Sequence, residues 1–412
     1  MSYNNIKNLT IGPFNLLNNL KILHLEYNEI KILSQDTFNN LGNLTELYLQ
    51  NNMLSNLSAS LINLKLLIYL DLSYNSLSQI SGFELNRLTS LVRINMSNNV
   101  IESLESNCFN QAFNLEVVDL RNNKLKSLIE SIMFINNVKL RYLDLEKNCI
   151  TKIQDDAFKH NALEYINLEK NNITGEINNK TFSGLQKLRN LTISNQTIAI
   201  IRDGTFSDMT TLYMLNISRN FITVVENSSF GILSNLNILD LSFNNISNIN
   251  FLSNSMKNLT VLNLNNNLLS VIHTHAFINQ TQLIKLDISM NKIKVIEQNS
   301  LPLQNLQILN ITSNPLAGVI EANTLSPAQY LRYLDLSNLN ISKIGDRAFV
   351  NLPVLARMNL SGNAIVDIAT NNFIDTNNIY SLDLSHNKLK KIDLNSTLEK
   401  LKALYINNNI LI

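Results

Sequence analysis

A leucine-led phrase recurs along the chain and constrains the fold more than any other feature. Its form is LxxLxLxxNxL, and "LRYLDLEKNCI" (140–150) is one copy. Sixteen steps between the first and last full copies cover 381 residues, about 23.8 residues per step. This period predicts a stacked repeat array in place of the two or three globular domains that 412 residues would otherwise suggest. The copies open at Leu20, Leu44, Leu67, Leu91, Leu115, Leu140, Leu163, Leu188, Leu212, Leu236, Leu259, Leu283, Leu306, Leu331, Leu355, Ile379 and Leu401.

Each phrase predicts a short strand that is closed by an asparagine. In the copy at 140–150, Leu143 and Leu145 alternate with polar residues, so one side of the strand faces inward. The amide of Asn148 can satisfy backbone groups of its own turn and of the next coil. This slot holds Asn in fifteen of the seventeen copies, and only Gln196 and Leu339 depart from it.

A phenylalanine recurs on the segment that follows each strand. One repeat cannot bury such side chains alone, whereas stacked neighbours form a continuous core. We therefore expect a spine of aromatic rings under the outer side of the array. Its members are Phe14, Phe38, Phe109, Phe158, Phe182, Phe206, Phe230, Phe277, Phe349 and Phe373.

Over essentially all 412 residues the pattern resembles the typical extracellular leucine-rich repeat family, LxxLxLxxNxLxxLxxxxFxxLxx. The resemblance implies an α/β solenoid, a horseshoe with a concave parallel β-sheet and an irregular or short-helical convex side. It also implies a non-enzymatic module that binds proteins. The uninterrupted repeats with phenylalanine look most like chaoptin-type cell-surface adhesion proteins, and next like Toll-type receptor ectodomains.

We expect residues 1–412 to form a single solenoid that lacks its capping domains. The opening "MSYNNI" (1–6) repeats the interior "LSYNSL" (72–77), so residues 1–19 form a partial first repeat. Sixteen repeats occupy 20–400, and 401–412 form a partial last repeat. Solenoid ends need polar caps, and the cysteine clusters that cap extracellular members of the family are absent. We expect a segment of a longer protein, with membrane attachment only through sequence missing from this chain.

Asn-x-Ser/Thr sequons indicate an extracellular or cell-surface location at the plasma membrane. Chance would give about ten in a chain this rich in Asn, Ser and Thr, and there are seventeen. The candidate glycosylation sites are Asn8, Asn43, Asn56, Asn95, Asn172, Asn179, Asn190, Asn195, Asn216, Asn227, Asn245, Asn258, Asn279, Asn310, Asn340, Asn359 and Asn395. The two cysteines, Cys108 and Cys149, fall two coils apart on different edges, so we expect free buried thiols and no disulfide.

Charge and motifs argue against nucleic-acid binding and catalysis. Lys plus Arg number 33 against 32 for Asp plus Glu, which leaves no basic footprint for nucleic acid. Ten glycines supply no phosphate-binding loop, and no hydrolase or zinc-protease motif occurs, so no cofactor is expected. His273 and His275 could face the same way, but no third ligand lies near them in the sequence. We expect exposed histidines there and no metal.

The outward slots of the predicted concave sheet are the candidate binding surface, since they are free of core packing. Their central column is mostly Asp and Asn, followed two residues later by Ser, which reads as solvated scaffold. Three successive coils break this monotony, and Tyr and Arg, which occur among them, are enriched at binding hot spots. The predicted central patch comprises Arg121, Arg141, Tyr142, Glu146, Lys147, Glu164, Tyr165, Glu169 and Lys170.

Two observations qualify the central patch. No sequon lies between Asn95 and Asn172, which would leave this surface free of sugar. However, "LRYLDL" also occurs at 331–336, so the tyrosines could simply be part of the repeat. A second aromatic cluster in the first coils is the next candidate, with Tyr27, Tyr48, Tyr69 and Tyr74.

The sequence thus favours an adhesion protein or receptor ectodomain that binds a protein ligand, or a like molecule on an apposed cell. A structural extracellular-matrix scaffold is the alternative, and an enzyme is a remote one.

Overall fold

The computed structural model describes most of the chain in two compact units, Met1–Leu212 and Tyr213–Ile412. The described residues are 1–9, 13–126, 133–159, 162–231, 233–252, 256–297, 300–301, 304–321, 325, 328–350, 352–374, 376–394 and 398–412.

The first unit is a parallel β-solenoid in which each coil contributes one short strand to a main sheet. Strands that are consecutive in this sheet pair in parallel without a register shift, as Tyr142 with Tyr165 and Leu143 with Ile166. The middle residue of each strand is buried, because the three-residue strand turns its central apolar side chain inward. The strands are Ile22–His24, Glu46–Tyr48, Tyr69–Asp71, Arg93–Asn95, Val117–Asp119, Tyr142–Asp144, Tyr165–Asn167 and Asn190–Thr192.

The second unit repeats this arrangement. Its main sheet also pairs in parallel, for example Leu239 with Leu262 and Leu309 with Leu334. The strands are Met214–Asn216, Ile238–Asp240, Val261–Asn263, Lys285–Asp287, Ile308–Asn310, Tyr333–Asp335, Arg357–Asn359, Ser381–Asp383 and Ala403–Tyr405. The predicted β-solenoid is therefore confirmed in each unit.

The predicted asparagine ladder is confirmed, except that its bonds run to the preceding coil and not to the next one. Nδ2 of Asn148 donates to the carbonyl oxygen of Leu145 in its own turn, at 3.1 Å, and to that of Leu120 in the preceding coil, at 3.0 Å. Its Oδ1 accepts the N–H of Leu125 at 3.1 Å. One buried side chain thus satisfies backbone groups of two adjacent coils and fixes their spacing.

The two departures from the ladder are accommodated differently. Gln196 reproduces the asparagine bonds: Nε2 donates to the carbonyl of Leu168, and Oε1 accepts the N–H of Ile173 at 3.0 Å. Leu339 instead packs into the core and is fully buried. Oδ1 of Asn363 accepts the N–H groups of both Leu339 and Ile341 at 3.0 Å, so the next coil satisfies this turn.

The predicted phenylalanine spine is confirmed within each unit. In the first unit the rings of Phe158 and Phe182 stack with centroids 6.5 Å apart. In the second, those of Phe349 and Phe373 lie 5.7 Å apart. The structure adds Phe134, whose ring stacks on Phe109 at 5.7 Å.

Of the two alternatives expected for the outer side, irregular turns are observed and short helices are not supported. Within the described residues, the only helical segments are one α-helical turn at Gly82–Leu85 and a 3₁₀ turn at Thr370–Phe373. Turns and a second set of short strands take their place, because these segments are brief and rich in β-branched Ile and Val, which favour strands. These strands are Gln79–Ile80, Ser103–Leu104, Thr174–Ile177 and Thr197–Ile201 in the first unit, and Val224–Val225, Val271–Ile272, Val295–Ile296, Gly318–Ile320, Ile341–Ile344, Asp367–Ile368 and Lys391–Ile392 in the second.

The cysteines are both free thiols, as expected, but only one is buried. Cys108 lies in the core before the spine residue Phe109, where burial raises the pKa of its thiol to about 12. Cys149 follows the ladder Asn148 and is exposed, so the expectation of burial is wrong there. The residue after the ladder asparagine points away from the core.

We expect Leu339→Asn to destabilise the protein, even though it restores the repeat consensus. The substitution removes a buried leucine and brings an amide into an apolar site whose backbone groups already have partners. The free energy of unfolding should fall by about 2 kcal/mol, measured by urea titration together with hydrogen exchange over residues 336–342. Leu339→Met, which conserves volume, is the control and should cost less. An unchanged or raised urea midpoint for Leu339→Asn would contradict this account.

The two cysteines should react with thiol reagents at very different rates. At pH 8 the exposed Cys149 should be labelled quickly, whereas Cys108 should react only on unfolding, because it is buried and its pKa of about 12 leaves almost no thiolate. A chromogenic disulfide reagent should report one fast equivalent per chain, and Cys149→Ser should abolish it. Two fast equivalents would show that the core around Cys108 opens readily.

Candidate functional site

The centre of the predicted patch is a stacked pair of tyrosines in the first unit. Tyr142 and Tyr165 occupy the same slot of adjacent strands, and their rings lie parallel, with centroids 4.4 Å apart and planes within 3°. Strand pairing brings equivalent side chains to about this distance. The fold therefore holds two large side chains in one orientation without any specific design beyond the repeat.

A buried carboxylate holds one tyrosine of this pair. The hydroxyl of Tyr142 donates to Oδ2 of Asp144 at 3.2 Å, and Oδ1 of Asp144 accepts the N–H of Glu146 at 3.0 Å. Asp144 is only 2% exposed. Burial raises the pKa values of both the Asp144 carboxyl and the Tyr142 hydroxyl above their usual ranges. Tyr142 therefore remains a neutral hydrogen-bond donor at physiological pH.

The charged residues of the patch pair chiefly with one another. Glu146 accepts contacts from Lys147 at 3.5 Å and from Lys170 at 3.6 Å, and Lys170 also reaches Glu169 at 2.8 Å. Such surface pairs are weak, about 0–1 kcal/mol each. The side chains can therefore exchange their partners for those of a bound protein at little cost.

The two arginines of the patch lie at its edges. The guanidinium of Arg121 contacts Asp119 at 3.2 Å, and Asp119 raises the pKa of Arg121 further. Nε of Arg141 approaches Glu164 at 3.9 Å, the longest ion-pair contact of the patch. The structure thus brings all nine predicted residues onto adjacent coils of one unit.

A polar cavity of about 290 Å³ extends the patch beyond the predicted residues. Arg121, Glu146 and Lys147 form part of its wall, and the other lining residues are Tyr74, Asn95, Ser97, Asn98 and Asn122. Sequence reasoning placed Tyr74 in a different cluster and overlooked Asn98 and Asn122. Their positions in the repeat could have identified them. All three directly precede a ladder asparagine, and this slot turns its side chain to the surface.

The Asp/Asn column of the sheet is a scaffold, as expected, but it is less solvated than expected, because most of its residues are half-buried and a few are buried. Oδ1 of Asp71 accepts both the N–H and the hydroxyl of Ser73, at 2.9 and 2.7 Å, and Asp71 is buried. The same bonds join Asp240 to Ser242. Asp-x-Ser therefore closes the strands that carry it by a local hydrogen bond.

The sequons fall into two groups by accessibility. Those in the central column are half-buried and bonded: Nδ2 of Asn310 donates to Asp287 at 3.1 Å, and Nδ2 of Asn359 donates to Asp335 at 3.3 Å. The half-buried acceptors are Asn95, Asn190, Asn216, Asn279, Asn310 and Asn359, and the exposed ones are Asn8, Asn43, Asn56, Asn172, Asn179, Asn195, Asn227, Asn245, Asn258 and Asn340. Asn395 lies outside the described residues.

The histidine pair lies on the outer side of the second unit. Nδ1 of His273 contacts Glu297 at 3.2 Å, and the same carboxylate accepts the N–H of Thr274 at 2.8 Å. These bonds lower the pKa of Glu297. Across the described residues, no three His, Cys, Asp or Glu side chains come together in an arrangement suited to a metal ion. Nor does this described part contain a helix with the length and apolar character that a membrane crossing requires.

The chain belongs to the leucine-rich repeat family. The "Leucine rich repeat" pattern matches residues 1–54, 43–101, 138–198, 186–246, 257–316, 304–365 and 329–389. Comparison with curated proteins returns no match.

Solved structures share the fold. The Toll–Spatzle complex of Drosophila contains a chain 20% identical to this one, with a TM-score of 0.72, covering 98% of this chain and 55% of that chain. The ectodomain of the plant receptor kinase GASSHO1/SCHENGEN3 from Arabidopsis thaliana, in complex with CASPARIAN STRIP INTEGRITY FACTOR 2, is 22% identical, with a TM-score of 0.66, covering 93% and 46%. The TLR13–ssRNA13 complex gives 18% identity and a TM-score of 0.52, covering 91% and 79%. This chain spans about half the length of the first two.

Proposed function

We propose that this chain is the binding segment of a cell-surface or secreted adhesion or receptor protein of the chaoptin type. It binds a protein ligand, or a like molecule on an apposed cell, through the open face of the first unit's main sheet, the side that carries the outward residues. The central patch is the contact surface. A structural matrix scaffold is the alternative, and an enzyme is remote because no catalytic constellation is present among the residues described.

The observation that carries this proposal is the parallel Tyr142–Tyr165 pair, ringed by half-exposed ion pairs. Rigid aromatic side chains lose little entropy on binding, and charged groups around them confer orientation and specificity. This combination of an aromatic centre and a polar rim is typical of protein-binding surfaces.

Charge favours a protein partner over a nucleic acid. The chain carries a formal net charge of +1, and each cation of the patch lies within 4 Å of a carboxylate. A phosphate backbone is bound by uncompensated Lys and Arg. The sequons and the family support the extracellular location.

The sequons provide a test of that location. In chain secreted from animal cells, the ten exposed acceptors should carry glycans, whereas Asn216, Asn310 and Asn359 should be largely bare. Their side chains bond within the sheet, so copies modified there should fail to fold. Glycopeptide mass spectrometry of the secreted protein measures this. Full occupancy of these three acceptors in folded protein would contradict the assignment, and unmodified exposed sites would argue against passage through the secretory pathway.

Removing the tyrosines should weaken binding without unfolding the chain. Tyr142→Ala and Tyr165→Ala should each cost about 1–3 kcal/mol of binding free energy. Aggregation of suspension cells that display the chain on a membrane anchor gives the first readout. Tyr333→Ala is the matched control, because Tyr333 lies in the same "LRYLDL" phrase and donates equally to Asp335, at 2.9 Å. Equal losses from Tyr142→Ala and Tyr333→Ala would point to a general structural role.

An N-linked glycan introduced on the central patch, where it would block a partner, provides the second test. Lys124→Thr creates a sequon whose acceptor is the exposed Asn122, which lines the cavity beside Arg121. The sugar should abolish aggregation. Val138→Thr places an equivalent sequon at the exposed Asn136, on the outer side of the same coil, and should leave aggregation intact. Undiminished aggregation by demonstrably glycosylated Lys124→Thr would exclude the patch, and absence of aggregation by the wild type would favour the scaffold alternative.

A further inference from the structure

The first three coils carry a second ordered surface, made of stacked aromatic rings. The imidazole of His24 lies parallel to the ring of Tyr48, with centroids 4.4 Å apart and planes within 7°. The ring of Tyr69 in the next coil is 5.2 Å from that of Tyr48. Alongside, Tyr27 stacks on Tyr3 at 4.3 Å. These rings and the nearby Tyr74 form what we call the aromatic row.

Each ring of the aromatic row that faces the sheet is tied to a carboxylate. The hydroxyl of Tyr48 donates to Glu46 at 2.7 Å, that of Tyr69 donates to Asp71 at 3.1 Å, and His24 contacts Glu26 at 3.1 Å. Glu46 is the main cause of the rise in the pKa of Tyr48 to about 12.

The charge of this surface is one-sided. From the strand through the turn, the outward slots of the first three coils hold Glu26, Glu46 and the buried Asp71 but neither Lys nor Arg. The bordering cations are Lys21, ahead of the first strand, Arg93, in the fourth coil, and Arg121 and Lys147, in the cavity that Tyr74 also lines. The central patch, in contrast, balances its acids with bases. The aromatic row therefore has an electrostatic preference that the central patch lacks.

The turn tyrosines are held in a backbone conformation that tyrosine disfavours. Tyr27 and Tyr74 have φ angles of +55° and +53°, in the left-handed region that Gly and Asn adopt at the lowest energetic cost. Asn51 occupies the same slot between them, at φ +56°. The repeat imposes this conformation, because the same slot has a positive φ in every coil. What distinguishes the first coils is that tyrosine occupies it at Tyr3, Tyr27 and Tyr74. Tyr27 and Tyr74 are also well exposed, at 44% and 56%.

The spacing leaves room between these two rings. Neighbouring strands lie about 4.8 Å apart, so Tyr27 and Tyr74, two coils apart, should lie about 9–10 Å apart across the shorter side chain of Asn51. A planar cation between two rings needs about 7 Å.

We propose that the aromatic row of the first three coils binds a basic segment of a protein partner, with an arginine side chain seated between Tyr27 and Tyr74. Carboxylates attract the cation, and ring faces bind it. Tyr74 also lines the cavity beside Arg121, at the border of the central patch, whereas the other rings of the aromatic row lie outside that cavity. The site rests on the proposed function only in taking a protein as the partner.

The test uses the full chain and a defined probe. The probe is a fluorescein-labelled peptide of four arginines alternating with glycine, and its counterpart carries citrulline, which keeps the planar shape but loses the charge. Fluorescence anisotropy should show the arginine peptide binding at least tenfold more tightly, with affinity that falls as salt rises. Glu46→Gln, which keeps a partner for the Tyr48 hydroxyl, should weaken binding severalfold. Equal binding of the two peptides would overturn the proposal.

Variants of the turn tyrosines separate a binding role from a structural one. Tyr27→Gly and Tyr74→Gly should lower peptide affinity at least tenfold, while the melting temperature stays the same or rises, because Gly relieves the left-handed backbone. Met290→Gly is the matched control, since it occupies the same slot at φ +52° in the second unit, and peptide binding should not change. Undiminished peptide binding by both tyrosine variants would refute the site. Tyr142→Ala should leave peptide affinity unchanged, so this proposal and that for the central patch fail separately.

Discussion

The fold depends on the hydrogen bonds that the buried ladder side chains make between coils. Each side-chain amide joins backbone groups of its own turn to those of the adjacent coil, as Asn148 does with Leu145 in its own turn and with Leu120 and Leu125 in the preceding coil. A tight turn at the edge of a solenoid buries peptide groups that the sheet cannot pair. The ladder satisfies them and at the same time fixes the spacing of coils. The register of the main sheets, and hence every alignment of side chains on their open faces, follows from this spacing.

A second consequence of the ladder is the left-handed residue that precedes each asparagine. The backbone must reverse before the amide can turn inward, and it does so at φ near +55° in coil after coil, at Asn98 and Asn122 as at Tyr27 and Lys147. The side chain at this slot points away from the core and is free to vary. Bulky or charged residues occupy the slot in both units, for example Tyr27 and Lys147 in the first and Phe243 and Met290 in the second. The slot is therefore a place where the surface can change from coil to coil without affecting the core.

The repeat allowed the fold to be predicted well, because one short phrase encodes strand, turn and core together. The positions of Leu143, Leu145 and Asn148 within the repeat are enough to predict which side chains of the coil face the core and which face solvent. No information about distant residues is needed. The failures arose where a residue's role depends on its neighbours in the next coil or in its own turn. Leu339 departs from the phrase, yet Asn363 of the following coil satisfies its turn. Asp144 occupies an outward slot, yet the Tyr142 hydroxyl and its own turn enclose it. The consensus phrase read alone contains neither contact.

The dependence on neighbouring coils also limits what the sequence can show about binding surfaces. The sequence identifies candidate surfaces, but it does not show which of them has stacked rings or unpaired charges. Outward slots can be enumerated, which was enough to bring Arg121, Tyr142 and Tyr165 together on adjacent coils. Whether two outward aromatics merely coexist or stack is decided by the coil spacing, which turns equivalent slots into parallel rings at 4.4 Å. Whether a charge is available is decided by its neighbours: Lys170 is paired with Glu146 and Glu169, whereas the acids around Tyr48 and Tyr69 have no base on the outward slots of their own coils. A solenoid of this kind can therefore carry chemically distinct surfaces on one scaffold, because the residues that build it and the residues that bind occupy different slots of the same repeat.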